Sequence, residues 1–288
     1  VGVIWMQFHP HTKQNKRIIG GYMNKILVSH ESPIELLEDS RLYNDYDYAL
    51  VHLFEEIPEY YNFFKTGKKL GRMILLDNSI FELGVAFDSD KFAEKIIDLQ
   101  PSEYIVPDVF NNCEETIIQF EKWLDKYGDL PGKKIGVIHG NNIPEYIECY
   151  KYMSAKADKI AISFGYDFYK NYVLHPNNST NYMLGRISLI SYLLHNEIIN
   201  TKMPHHLLGC GNPLEFSFYD KKHHAFIESI DTSSPIVHAI LNIKYSEDMC
   251  NWEKRDIKLV NLIHTPKHQI NADILQYNLT QFKKFIKF

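Results

Sequence analysis

Eight short runs rich in β-branched and apolar residues recur along the chain, and amphipathic segments separate most of them. The runs are Lys25–Ser29, Tyr48–Phe54, Arg72–Leu76, Tyr104–Pro107, Lys134–Ile138, Lys159–Ser163, His206–Gly209 and Phe226–Ile230. Between them, Lys91–Leu99, Glu114–Tyr127, Pro144–Met153 and Met183–Leu194 repeat their apolar positions with the 3.6-residue period of a helix. Asn111 and Asn112 precede Glu114 and Glu115, and Asn142 precedes Pro144, as N-caps and N1 prolines do. Strands that alternate with helices require crossover connections and so a mainly parallel sheet. Eight of them in 288 residues predict an α/β protein of the (β/α)8 TIM-barrel class. A doubly wound open sheet is the competing arrangement, weakened because no G-x-G-x-x-G follows the first run. A closing amphipathic stretch, Asn271–Lys287, is expected to pack on the barrel as a C-terminal helix. Met23 opens the first strand-like run. Residues 1–22 are therefore expected to be an N-terminal extension, and 23–288 the barrel domain.

Composition removes several function classes. With 45% hydrophobic and 23% charged residues the chain can bury a core, which excludes a disordered or collagen-like protein. The formal charge of -5 excludes a basic nucleic-acid coat, so any polynucleotide must be met by a local patch. The four cysteines, Cys113, Cys149, Cys210 and Cys250, form no C-x-x-C pair. Reduced thiols, and with them a cytoplasmic location, are expected. The opening residues carry no signal-peptide pattern, and no apolar run approaches the ~18 residues of a membrane span, so no membrane partner is expected.

In a barrel of this kind chemistry gathers where strands end and βα-loops begin. Four strand ends carry distinctive polar residues: Asp77-Asn78-Ser79-Ile80-Phe81-Glu82, Pro107-Asp108, Ile138-His139-Gly140 and Ile230-Asp231-Thr232-Ser233-Ser234-Pro235. An aspartate after a strand often only caps the next helix. Three converging on one mouth instead suit displacement at an anomeric carbon, with one carboxylate attacking and another handling protons. The long Tyr- and Asn-rich interval Tyr166–Tyr182 is either a functional βα-loop or a plain surface loop. Lys65–Arg72 and Lys221–His224 precede strands and are expected at the opposite end. Lys13–Arg17 and Lys283–Lys287 are candidates for phosphate contact.

This set resembles the queuine and archaeosine tRNA-ribosyltransferases, or tRNA-guanine transglycosylases, and more closely their DpdA-type DNA-guanine transglycosylase relatives of phages and bacteria. The family's D-S-G-G-F/Y-Q, F-D-E-C, V-Q-G, G-G-L, L-M-G-V-G and F-D-C-V-x-P-T-R segments are similar to stretches beginning at Asp77, Pro107, Ile138, Ile162, Leu207 and Ile230. Their order and rough spacing hold from about residue 24 to 240.

The resemblance implies base exchange in a polynucleotide, guanine leaving and a free 7-deazaguanine base entering, with no cofactor. Asp231 would be the nucleophile on C1′ and Asp77 the proton-handling carboxylate. Asp108 would accept from the guanine N1–H and 2-amino group. His139 would donate to the base carbonyl, and Gly140 and Ser163 would present backbone groups. Phe81 and Leu208 would sandwich the base, with Asn78, Phe164 and Gly209 beside it. The Thr232-Ser233-Ser234 hydroxyls would either orient Asp231 or cap the next helix.

The departures from the family pattern also bear on function. The C-x-C-x-x-C zinc motif is missing, and Tyr277-Asn278-Leu279 stands where the family has His-Asn-Leu. No zinc subdomain and no metal are therefore expected, and DNA is favoured over tRNA as the polynucleotide. Two further readings compete: a non-catalytic transglycosylase-like subunit, and a phosphate-binding barrel using the Gly209-Cys210-Gly211 loop. A phage-encoded enzyme would act in the host cytoplasm.

Overall fold

The computed structural model describes residues 25–171, 173–250 and 257–286. The proposed extension at 1–22, with Lys13–Arg17, and Lys287 lie outside the described residues. Eight strands follow one another in the chain: β1 (Leu27–His30), β2 (Asp47–Leu50), β3 (Ile74–Asp77), β4 (Glu103–Ile105), β5 (Lys133–Val137), β6 (Lys159–Ser163), β7 (His205–Leu208) and β8 (Ile227–Thr232). All neighbouring pairs are parallel, in the order β1-β8-β7-β6-β5-β4-β3-β2. Between β1 and β2 side chains do part of the closing. Ser29 Oγ accepts from the Tyr48 N–H, Asp45 Oδ2 from the Val28 N–H, and Asn44 Oδ1 from the His30 N–H. The result is a nearly closed (β/α)8 barrel.

The helices are α1 (Leu37–Ser40), α2 (Leu53–Glu56), α3 (Pro58–Lys69), α4 (Ile80–Leu83), α5 (Ser89–Leu99), α6 (Cys113–Tyr127), α7 (Ile143–Lys156), α8 (Asn178–His195), α9 (Lys221–His224), α10 (Ser234–Ile240) and α11 (Ala272–Phe285). Asparagine starts the long ones. Asn112, Asn142, Asn177 and Asn271 each accept a first-turn N–H of α6, α7, α8 and α11, satisfying donors that helix geometry leaves over. The longer helices lay apolar stripes on the barrel, as α5 does with Phe92, Ala93, Ile96 and Leu99. Burying one such large side chain contributes roughly 1.5–3 kcal/mol.

One sequence expectation needs correction. The run Tyr48–Phe54 is not a single strand: β2 stops at Leu50, and Leu53 and Phe54 belong to α2. The apolar pattern continues because both remain buried, at 0% and 4% exposure, in that short helix. Periodicity over so short a run does not separate the two states.

At the N-terminal ends of the strands, the buried Lys159 Nζ lies 2.9 Å from Glu103 Oε2 and 2.6 Å from Glu228 Oε2. These residues sit on β6, β4 and β8, which are not adjacent, so the ion pairs cross the barrel interior and close its floor. Arg72 pairs with Asp47 at 2.6 Å at the same end. The opposite end carries the candidate chemistry. No described helix is long and apolar enough to cross a membrane.

Candidate active site

Parallel strands deliver their last residues to one rim, and here β3 and β8 end on or beside aspartates, with a third just beyond β4. Asp77 is the final residue of β3. Its Oδ2 accepts from the Tyr48 hydroxyl at 2.7 Å and its Oδ1 from the Ser79 N–H at 2.6 Å. Burial, reinforced by the negative charge of Glu82, nevertheless holds the Asp77 carboxyl well above the usual carboxylate range. A carboxyl that keeps its proton is suited to giving one up. Ser79 adopts a left-handed φ of 62°, rare outside glycine, and its Oγ accepts from the His52 N–H at 3.3 Å.

Asp108 lies three residues past the end of β4 and is 4% exposed. Its Oδ1 accepts from Asn78 Nδ2 at 2.7 Å, and its Oδ2 lies 2.5 Å from His139 Nε2. His139 Nδ1 accepts from the Asn111 N–H at 3.3 Å, so the ring proton sits on Nε2 and points at Asp108. The expected donation from His139 to a base carbonyl therefore has no free N–H behind it in this arrangement. Asn112, and not Asp108, caps α6. The capping explanation for Asp108 does not hold.

Asp231 sits next to the end of β8 and faces inward. Its Oδ1 accepts twice: from the Gly209 N–H at 3.0 Å and from His206 Nε2 at 3.0 Å. Its Oδ2 has no hydrogen bond among the described residues, and the side chain retains 8% exposure. The following hydroxyls serve the loop instead. Thr232 Oγ1 donates to the Cys210 carbonyl and accepts from the Ser234 N–H, and Ser234 Oγ meets the Tyr245 hydroxyl.

The remaining expected residues divide into mouth and support. Phe81 is 55% exposed on the short α4 that follows β3, with Lys258 Nζ 4.6 Å from its ring. Leu208 ends β7 half-buried, and its carbonyl accepts from Arg186 Nη1. Phe164 is buried, its ring against the Arg186 guanidinium at 5.1 Å. Ser163 is engaged within the protein, its N–H directed to Tyr166 and its carbonyl accepting from Tyr169. At Gly140 the chain passes close against α7: a Cβ there would lie 2.7 Å from the Tyr146 nitrogen. The Tyr-rich interval thus folds back through Tyr166 and Tyr169 onto the ends of β5 and β6.

Sequence reasoning passed over His206, Tyr48 and Arg186. His206 and Tyr48 stack at 6.1 Å with a 17° interplanar angle, linking the surroundings of Asp77 and Asp231. Arg186, fully buried on α8, pairs with Glu215 at 2.7 Å and donates to the carbonyls of Leu208 and Gly209. A fully polar dipeptide opening an apolar strand, His205-His206, was the available signal for the first. Among the described residues no group of three or more His, Cys, Asp or Glu is placed to hold a metal ion.

No protein-family model matches this chain, and no curated protein matches it.

Proposed function

We propose that the protein is a DNA-guanine transglycosylase that replaces guanine with a 7-deazaguanine base, such as 7-cyano-7-deazaguanine, through a covalent aspartyl-deoxyribose intermediate. The observation that carries this reading is the asymmetry of Asp231. One oxygen is fixed by two donors and the other is unbound, on a rim that also carries a proton-retaining Asp77.

Asp231 Oδ2 attacks C1′, the C1′–N9 bond breaks with its electron pair leaving on guanine, and Asp77 gives its proton to the departing base. The incoming base then loses its N9 proton to the Asp77 carboxylate while N9 attacks C1′ and expels Asp231. Two displacements return the β configuration, as in other retaining carboxylate enzymes. Asp108 serves as acceptor for the base's N1–H and 2-amino edge, with Asn78 and His139 fixing its plane. The target nucleotide has to leave the stack to reach this rim. Exposed Phe81 offers a stacking face, with Lys258 beside it for phosphate. The missing C-x-C-x-x-C favours DNA over tRNA.

The test is a denaturing gel of protein incubated with guanine-containing DNA or with tRNA, with and without competing free base. A DNA adduct that disappears in Asp231→Ala supports the reading. An adduct with tRNA alone would replace DNA by tRNA. An adduct undiminished in Asp231→Ala would remove Asp231 from its role, and no adduct or exchange with either polynucleotide would sink the reading.

A further inference from the structure

His206 lies inside the barrel, fully buried on β7 next to β8, with β8 and β1 between it and the strand of Tyr48. Its Nδ1 is 2.9 Å from Ser229 Oγ, and its Nε2 is 3.0 Å from Asp231 Oδ1. Ser229 stands two residues before Asp231 on the same strand, so both point inward and the ring spans them. The ring is clamped on its flat side by Tyr48 and edge-on by Tyr46, whose hydroxyl donates to the Ile230 carbonyl at 2.8 Å. A carboxylate accepts only, so the proton between His206 and Asp231 belongs to Nε2, and Ser229 then donates to Nδ1.

We propose that His206 is the positioning residue for Asp231, donating Nε2–H to Oδ1 under the orientation set by Ser229 and thereby selecting Oδ2 as the reacting oxygen. This rests on the transglycosylase reading for its effect on rate, though the pairing itself does not. Burial favours the uncharged ring, against the pull of Asp231. Lys159 from the barrel floor acts with burial, and Glu103 acts with Asp231. An imidazolium would compete for the carboxylate's charge. An uncharged donor fixes one oxygen and leaves the other nucleophilic.

Two measurements test this. Long-range proton–nitrogen NMR of the histidine-labelled protein, with the signal assigned by loss in His206→Gln, reports where the ring proton sits. The expected result is a single Nε2–H tautomer whose Nε2 signal shifts in Asp231→Ala, which removes the acceptor. A ring protonated on Nδ1, or one indifferent to Asp231→Ala, would overturn the pairing. The rate of adduct formation is then compared in His206→Gln, which keeps a donor at the position of Nε2, and His206→Leu, which does not. Gln should retain the rate within about tenfold and Leu should lose about a hundredfold or more, with free-base affinity unchanged in both. Equal rates in Gln and Leu would overturn the positioning role. Wild-type protein that shows the expected tautomer but forms no adduct would overturn the enzymatic reading alone and leave the pairing in place.

Discussion

The Tyr48 hydroxyl donates to Asp77 Oδ2 at 2.7 Å from the neighbouring strand, and the same ring stacks on His206, which holds Asp231. One tyrosine therefore stands between the two carboxylates on which base exchange would depend. Its own hydroxyl is held well above the ordinary tyrosine range, chiefly by burial and then by the charges of Asp77 and Asp231.

Tyr48→Phe keeps the stack and removes that donor. Asp77 then loses one of two hydrogen bonds that favour its charged form, and its carboxyl moves still higher. The first displacement, in which Asp77 gives up its proton and becomes a carboxylate, should slow by about tenfold, the equivalent of one neutral hydrogen bond of ~1.4 kcal/mol. Single-turnover kinetics, with adduct formation measured separately from its resolution by free base, would show the loss in the first step. A loss confined to the second step would contradict the assignment.

Asp77 also predicts a pH dependence of stability. Its folded pKa lies above the unfolded value near 3.9, so in the window between them the folded chain holds a proton that the unfolded chain has released. Stability therefore falls as pH rises through that window, by up to about 1.4 kcal/mol per pH unit from this group. Asp77→Asn lacks the proton and the slope. Urea unfolding at several pH values should show the variant gaining on wild type as pH rises, while exchange activity is lost. A constant difference between the two proteins would mean that Asp77 is not raised.

Asp108→Asn tests the recognition cluster. An amide placed where Oδ2 stands would set its NH2 against the His139 Nε2–H. His139 cannot move its proton to Nδ1 without losing the Asn111 N–H. The mismatch should cost about 1–3 kcal/mol in stability and weaken free-base binding as well. His139→Gln, which restores a single donor toward Asp108, should be milder on both counts. Calorimetric binding of guanine, together with thermal melts, distinguishes this from a residue that merely ends a strand.

The barrel itself was legible in the sequence because its strands are buried on both faces and separated by capped helices, and these signals are local. Asn112 and Asn142 announce α6 and α7 without any tertiary knowledge. Asp77, Asp108 and Asp231 were legible because each ends or follows an apolar run. His206 was not. In His-His-Leu-Leu the two-residue period says that one histidine faces inward but not which. Only the register against β8, with His206 opposite Ser229, decides it. Tyr48 was hidden for the same reason, and Arg186 because a helix pattern does not reveal an arginine turned into the core.

That arginine supports the last prediction. Arg186 and Glu215 are both fully buried, joined by two bonds of 2.8 and 2.7 Å, and Tyr219 donates to the same glutamate. From this fixed point Arg186 Nη2 donates to the Gly209 carbonyl at 2.9 Å, while the Gly209 N–H donates to Asp231 Oδ1. Gly209 takes a φ of +67°, which turns its N–H toward the carboxylate. A Cβ there would meet nothing closer than Phe164 at 3.6 Å, so Gly209→Ala should cost only the left-handed penalty of about 1–2 kcal/mol. Arg186→Met is different in kind. It strands a buried carboxylate and takes a donor from the carbonyls of Ile162, Leu208 and Gly209, and should destabilise the fold by about 3–5 kcal/mol. Pairing it with Glu215→Gln should recover part of that loss, because the unpaired charge is gone. It should not restore adduct formation, since the Gly209 carbonyl remains untethered. Denaturant unfolding and adduct rates on the single and double variants separate the two effects. If the double variant recovered both together, Arg186 would be a stabilising residue with no bearing on Asp231.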